Sequence, residues 1–363
     1  MKIGICTGGG DCPGLNAIIR AAVKHAVGTY GWEMWGIKDS FNGLMNRPYE
    51  IRRLEISNVT DILSKGGTIL GTTNSGNPFS LKKGSTGPSD KSMMVVEAYK
   101  DLGLDCVIVI GGDGTQGIGY QLSTLGINVV GIPKTIDNDL AATDITVGFK
   151  TAVEIATEAV DRLQSTAESH ERAMILEVMG RHAGHIALHA GIAGGAHVIL
   201  LPEVPFEFKA VFNKLKQRRD LERKYSVVVV AEGAYEKGGE PFFTKSSAGS
   251  QVLGGVGEYV AKTISSKVGI ETRFTVLGHT QRGGMPCADD RILGSAYGVK
   301  AIEMIKRKAY GKIVSFRNGA FDEITYNDVA GKFRPIDATD PFLQTAEAIG
   351  VCLGRTTRWL ESK

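Results

Sequence analysis

The sequence predicts an α/β protein built from two doubly wound, mostly parallel domains. Three observations lead there. Short apolar runs alternate with helical patterns along the whole chain. The runs are continuously apolar, as strands covered by helices on both faces must be. The 47 glycines cluster directly after these runs rather than spreading evenly. That puts permissive backbone at the strand ends, where open parallel sheets receive ligands.

The elements follow in order. KIGIC (2–6) is a strand, and a Gly-rich turn leads from it into the helix LNAIIRAAVKHAV. DCVIVIGG (105–112) is followed by the helix DGTQGIGYQLSTL. NVVGIP (128–133) is followed, after a charged loop, by a helix from about Phe149 to Thr166. AMILEVM (173–179) precedes RHAGHIALHAGIAG. HVILLPE (197–203), YSVVVVAEGA (225–234) and TRFTVLGH (272–279) add strands with helices between them. KGSTGPSDKS (83–92) reads as an exposed loop. KQRRDLERK (216–224) reads as a solvated helix face, with a polyanion site as the alternative.

Composition narrows the function classes. At 363 residues the chain has length for one large or two medium domains with a real core. Its 42% hydrophobic and 22% charged content is that of an ordinary globular protein. A net charge of +3 argues against a surface that coats nucleic acid, yet permits a local basic pocket for a phosphorylated ligand. No apolar stretch approaches the ~20 residues of a membrane span, and no apolar leader precedes KIGIC. Cys6, Cys12, Cys106, Cys287 and Cys352 are odd in number and lack metal-like spacing. They read as small buried thiols, which fits a reducing cytoplasmic setting.

Three strand ends carry the chemistry. In CTGGGDCPGLN, Gly8, Gly9 and Gly10 allow backbone N–H groups to approach phosphate oxygens at a helix N-terminus; a purely structural turn is the alternative. The pattern is not G-x-x-x-x-G-K-[ST]. In IVIGGDGTQG, Asp113 sits among Gly111, Gly112 and Gly114. A carboxylate there can hold Mg²⁺ while the flanking backbone holds phosphates, or it can cap the helix. In NVVGIPKTIDNDL, Lys134, Asp137 and Asp139 crowd the end of a strand. They can shape a turn around Asn138. They also supply what phosphoryl transfer to an alcohol needs: a base, a second carboxylate for a cation that bridges phosphates, and a lysine to offset charge.

GGDGT, PKTIDND, MGRHAGH, AEG and LGHTQRGG, in that order, resemble the 6-phosphofructokinase family, and the match runs from Lys2 to beyond Arg291. TIDND and GHxQRGG together are the specific part. The resemblance implies an Mg²⁺-dependent enzyme that transfers a phosphoryl group from ATP to the 1-hydroxyl of fructose 6-phosphate. It implies an active site in the cleft between the two domains and a cytoplasmic homo-oligomer, dimer or tetramer, with shared active sites. The larger domain would be 1–148 plus about 281–330 and would bind the donor. The smaller, 149–280 plus about 331–363, would bind the sugar phosphate.

By that resemblance Asp137 is the general base, and Thr135 and Asp139 lie beside the sugar and the metal. Asp113 is a Mg²⁺ partner. Gly10, Gly112, Gly114 and Thr115 contact the donor, with Phe41 where the family often has a Tyr near the nucleotide. Met179, Gly180 and Arg181 touch the sugar and the transferring phosphoryl. Glu232 holds a sugar hydroxyl, and His279 and Arg282 bind the sugar phosphate. Arg172 and Arg273 reach that phosphate from a neighbouring subunit, although either alone reads equally as a surface ion pair.

The sequence departs from the family in several places. Asn74, in TTNSGNPF, stands where an Arg usually reaches the transferring phosphate, and Lys134 can partly replace that charge. Lys134 is typical of pyrophosphate-using members, whereas Gly114 is typical of nucleotide-using ones. Arg20 and Lys24 match basic effector positions, but Gln164 replaces an Arg and His197 a Glu, so the usual ADP and phosphoenolpyruvate control is not expected. Two rival readings are a pyrophosphate-dependent enzyme and a non-catalytic sugar-phosphate sensor. The retained Asp113 and Asp137 oppose the sensor. No G-x-G-x-x-G opens the first helix to support a dinucleotide oxidoreductase.

Overall fold

The computed structural model describes residues 1–79, 90–245, 251–329 and 331–356. The polar stretch 83–92 lies outside them up to position 89. The chain divides into two compact units: Met1–Ile136, Leu140–Thr151 and Arg282–Arg334 in the first, and Asp137–Asp139, Ala152–Gln281 and Pro335–Lys363 in the second.

The first unit opens with β1 (Lys2–Thr7), α1 (Leu15–Tyr30), β2 (Glu33–Ile37), α2 (Asn42–Met45) and β3 (Ile51–Leu54). It continues with α3 (Ser92–Asp101), β4 (Cys106–Gly111), α4 (Asp113–Thr124) and β5 (Val129–Pro133). Helix α5 (Phe149–Ser169) runs into the second unit. There follow β6 (Ala173–Val178), α6 (His185–Ala193), β7 (Val198–Leu200), α7 (Phe208–Asp220) and β8 (Ser226–Ala231). A hairpin, β9 (Phe243–Lys245) and β10 (Gln251–Leu253), precedes α8 (Val256–Val268) and β11 (Thr272–Val276). The chain returns to the first unit with α9 (Ala288–Lys306), β12 (Lys312–Arg317) and β13 (Ala320–Thr325), then ends in the second with α10 (Pro341–Ala348).

The first unit holds a seven-stranded sheet, ordered β13-β12-β5-β4-β1-β2-β3. Its interior pairs are parallel, and both edge strands pair antiparallel with their neighbours. Cys6, Ile37, Val107, Val109, Val129 and Ile313 are among its buried core residues. The second unit holds a parallel four-stranded sheet, β11-β6-β8-β7. Its core includes Ile175, Val198, Val228, Val230, Val260 and Ile264. Every residue of β1 from Ile3 onward, and all of β4, β5, β6, β7 and β8, is buried, as continuous apolar runs require.

Burial on both faces fails for one expected strand. In β11 the residues from Arg273 to Val276 are exposed, with Phe274 at 44% and Val276 at 53%. It is an edge strand, so its TRFTV sequence signals extension without signalling cover. Cys6, Cys12, Cys106 and Cys352 are buried free thiols and Cys287 is half-buried. Burial pushes the Cys6 and Cys12 thiols up to about 12, which makes them poor nucleophiles. No helix among the described residues is long and apolar enough to cross a membrane.

Candidate active site

In the first unit the two Gly-rich strand ends meet around Thr115. A Cβ placed on Gly8 would lie 2.7 Å from the Thr115 methyl, and one on Gly111 would lie 2.3 Å from its Cβ. Neighbouring strands β1 and β4 can therefore bring their ends together only with glycine at both positions. The Gly8 N–H donates to Ile110 O (2.9 Å) and the Gly9 N–H to Thr73 O (3.1 Å). Both N–H groups are used inside the protein, so the expected phosphate contact of this loop falls to Gly10.

Lys134 completes this arrangement. Its backbone N–H donates to Gly111 O at 3.0 Å. Its buried ammonium donates to Gly8 O at 3.0 Å and also to Gly10 O. The Thr72 hydroxyl donates to Gly9 O at 2.6 Å, so all three loop carbonyls are held from within. The Arg282 guanidinium packs on the same loop. Its Nη1 donates to Asp11 O at 3.2 Å, and a Cβ on Gly10 would meet it at 2.8 Å. Asn74 is exposed and follows Thr73, whose carbonyl receives the Gly9 N–H.

Helix α4 is capped by Gly112, and Asp113 is its first residue rather than its cap. The exposed carboxylate accepts from the Gly331 N–H at 3.3 Å. At a helix N-terminus it sits where backbone N–H groups and the dipole favour anions and their bound cations. A Cβ built on Gly114 meets nothing within 4 Å. Gln116, which the sequence reading passes over, is buried and donates to Gly111 O (3.0 Å) and Ile132 O (2.8 Å), tying the ends of β4 and β5. Phe41 corrects an expectation. Its ring is fully buried in the core with Cys6, Ile37 and Leu44, so it has no surface to offer a nucleotide.

The second unit gathers a different set: Arg181 and Glu232 after the C-terminal ends of β6 and β8, and Asp137 from its short segment Asp137–Asp139. Asp137 is buried, and its Oδ2 lies 3.7 Å from Nε of Arg181, whose side chain is 62% exposed. Arg181 has φ 54 and Gly180 has φ 145, so the MGR loop turns sharply after β6. Glu232, directly after β8, holds that turn by accepting from the Gly180 N–H (3.2 Å) and the Arg181 N–H (2.9 Å). Burial pushes the Glu232 carboxyl up. The Arg181 N–H pulls it back, and the nearby Asp137 charge adds to the upward push. Met179 and Asp139 are half-buried, and Thr135, which belongs to the first unit, is buried. His279 lies in the 3-10 helix Gly278–Arg282, whose last residue, Arg282, is where the chain returns to the first unit.

Arg172 and Arg273 lie elsewhere. They stand at the N-terminal ends of β6 and β11, a strand length of roughly 20 Å from the loops that follow β6 and β8. Both pair with Glu271, Arg172 Nε at 2.9 Å and Arg273 Nη2 at 2.7 Å. Within this chain the two arginines therefore converge on one carboxylate, apart from Arg181 and Glu232. The effector-position departures also meet. Gln164 Nε2 lies 3.4 Å from the Tyr225 hydroxyl, and the His197 ring packs edge-on against Tyr225. Arg20 is half-buried and Lys24 exposed on α1. The 216–224 run is largely solvated, except that Arg218 turns in to donate to Tyr225 O and Ser226 Oγ.

Comparison with known proteins identifies the family. A family model described as phosphofructokinase matches residues 2–305. A Synechocystis relative named ATP-dependent 6-phosphofructokinase 1 is 46% identical, over 97% of this chain and 98% of its own length. An Amycolatopsis methanolica relative named pyrophosphate–fructose 6-phosphate 1-phosphotransferase is 48% identical, over 87% of this chain and 91% of its own. The solved phosphofructokinase of Saccharomyces cerevisiae superposes with a TM-score of 0.77 at 28% identity, covering 90% of this chain. This chain spans 45% of the length of that yeast chain. The motifs, the two mostly parallel α/β units and these matches together place the chain in the phosphofructokinase family.

Proposed function

We propose that this enzyme transfers the γ-phosphoryl group of ATP to the 1-hydroxyl of fructose 6-phosphate, giving ADP and fructose 1,6-bisphosphate. The observation that carries the reading is the buried Asp137 carboxylate with the exposed Arg181 guanidinium 3.7 Å away. The carboxylate accepts the hydroxyl proton as the new O–P bond forms, and the bond to the leaving ADP breaks. Arg181 balances charge on the transferring group. Lys134 fixes the loop whose Gly10 meets the donor, with Gly112, Gly114 and Thr115 on the second loop. On this reading the first unit takes the donor and the second takes the sugar phosphate through Met179, Gly180, Glu232 and His279, with Arg282 beside the donor loop.

Mg²⁺ belongs to this reading. Among the described residues no group of three acidic, His or Cys side chains forms a cage for a metal ion. On this reading the cation is carried by substrate phosphates with one or two carboxylates, for which the family resemblance offers Asp113 and Asp139. When bound, Mg²⁺ neutralises charge on the donor phosphates. We further read Arg172 and Arg273 as phosphate ligands offered to a neighbouring subunit of a cytoplasmic homo-oligomer, since their own chain keeps them away from Arg181.

Lys134 and the Amycolatopsis relative favour a second reading, with pyrophosphate as donor. The open space beside Gly114 favours the nucleotide. Steady-state rates with ATP, ADP and pyrophosphate at saturating Mg²⁺ and fructose 6-phosphate test the choice. Faster turnover with pyrophosphate than with either nucleotide would reject ATP. Absence of turnover with all three would reject the enzyme reading.

A further inference from the structure

The loop that carries Arg181 is pinned at both ends by carboxylates, and only one of them belongs to the site described so far. Arg181 at φ 54 and Gly180 at φ 145 occupy backbone conformations that persist only where the surroundings impose them. Glu232 holds the entry of the turn. The exit is held by Glu203, which follows β7: its Oε1 and Oε2 lie 3.0 and 3.1 Å from the Gly184 N–H. Between them the Ala183 N–H closes the turn on Gly180 O at 3.0 Å. The fit around the loop is tight. A Cβ on Gly184 would lie 2.8 Å from Glu203 Oε2, and one on Gly233 would lie 2.1 Å from Arg181 O.

Glu203 also reaches a distant part of the chain. Its Oε1 accepts from the Ile336 N–H at 3.0 Å, in the segment that leads into α10. Helix α10 returns to α6, where Phe342 packs against His189 with ring centroids 4.8 Å apart. Gly184 caps α6, so an anionic Glu203 also sits favourably at that helix N-terminus. Burial pushes its carboxyl up, and the N–H groups of Ile336 and Gly184 pull it back only in part. Among the described residues its hydrogen bonds come from the backbone N–H groups of Gly184 and Ile336.

We infer that Glu203 is a positioning residue for Arg181: it fixes the exit of the MGRHAG turn, and with it the direction in which the guanidinium leaves the backbone. The inference rests on the role proposed for Arg181. Removal of the Glu203 carboxylate frees the Gly184 N–H and lets the turn relax, and small misplacements of a catalytic group are costly in rate.

The test is a double-mutant cycle in the full chain, with kcat and both KM values measured for Glu203→Ala, Glu203→Gln, Arg181→Ala and the combined Glu203→Ala/Arg181→Ala enzyme. Glu203→Ala is expected to lower kcat about 10- to 100-fold with donor KM within about twofold. Glu203→Gln, which keeps an acceptor at Oε1, should restore most of that loss. The combined variant should be no slower than Arg181→Ala alone, because the partner through which Glu203 acts is gone. Additive losses in the combined variant would overturn the inference while leaving Arg181 in place. An Arg181→Ala enzyme with unchanged kcat would overturn the role of Arg181 and this inference with it. If Glu203→Ala does not fold, the cycle is run with Glu203→Asp, whose carboxylate is drawn back from the Gly184 N–H by one methylene, and additivity there overturns the inference equally.

Discussion

The ammonium of Lys134 lies 3.0 Å from the carbonyl oxygen of Gly8 and also binds that of Gly10. A cation expected to face the outer phosphates is thus engaged with the backbone of the first Gly-rich loop. Lys134→Ala leaves two carbonyls of a tight loop without that donor. Charge-assisted hydrogen bonds contribute about 1.5–3 kcal/mol each, so donor KM should rise about 10- to 100-fold. The KM for fructose 6-phosphate should move less than about threefold. An unchanged donor KM would show that the loop keeps its shape without the lysine.

Gly114 separates the two donor readings. Its backbone is not left-handed and a Cβ there meets nothing within 4 Å, so Gly114→Asp should fold with little loss of stability. The new carboxylate would occupy the open space and repel a phosphate. Two charges about 4 Å apart interact by roughly 4 kcal/mol at an effective dielectric near 20. ATP use should collapse, and weak pyrophosphate use should emerge. Retention of ATP turnover in a folded Gly114→Asp enzyme would mean the nucleotide does not pass that position.

Much of the fold was legible because parallel strands under helices are continuously apolar, and β1, β4, β5, β6 and β8 announce themselves that way. The antiparallel edges β3 and β13 do not. IRRL and AFDEIT carry polar residues on an open side, and nothing local marks them as partners of β2 and β12. The candidate site is legible where the proposed chemistry asks for unusual residues at a strand end, as at Asp113 and Asp137. It was not legible where a side chain acts on backbone. Gln116, Glu203 and the buried Asp290 look like ordinary polar residues until burial and partners are known. Asp290 accepts from the Gly148 N–H, the Thr151 N–H and the Thr151 hydroxyl, and so holds the start of α5. Phe41 failed in the opposite sense: alignment with a contact position says nothing about which way a ring points.

Asp137 is the residue on which the proposed chemistry turns. Asp137→Asn preserves its size and removes the base, and kcat should fall about 10²- to 10⁴-fold. Sugar KM should change little, since the phosphate ligands lie on other residues. The Arg181→Ala enzyme should also lose kcat, through charge balance rather than proton transfer. Rates for Asp137→Asn within about threefold of wild type would show that the proton goes elsewhere.

His197 gives a prediction that needs no substrate. Burial pushes its imidazole down to about 3, and the neighbouring Arg218 and Lys214 charges add to the push. Its Nδ1 accepts the Val227 N–H at 2.9 Å, which places the proton of the neutral ring on Nε2. The folded protein therefore keeps His197 neutral, while the unfolded chain binds a proton near the ordinary value of 6.5. The stability this residue confers is complete above about pH 6.5 and is lost as the pH falls from there toward about 3. Between pH 8 and pH 5 the loss should reach about 2 kcal/mol. His197→Asn retains an acceptor for Val227 and cannot titrate, so its stability should decline less steeply over that interval. Urea denaturation of both proteins at pH 8, 6 and 5 measures the difference. Parallel decline in the two would mean that His197 charges as readily in the folded protein as in the unfolded chain, and that the Lys214–Arg218 side of α7 admits a further cation without penalty.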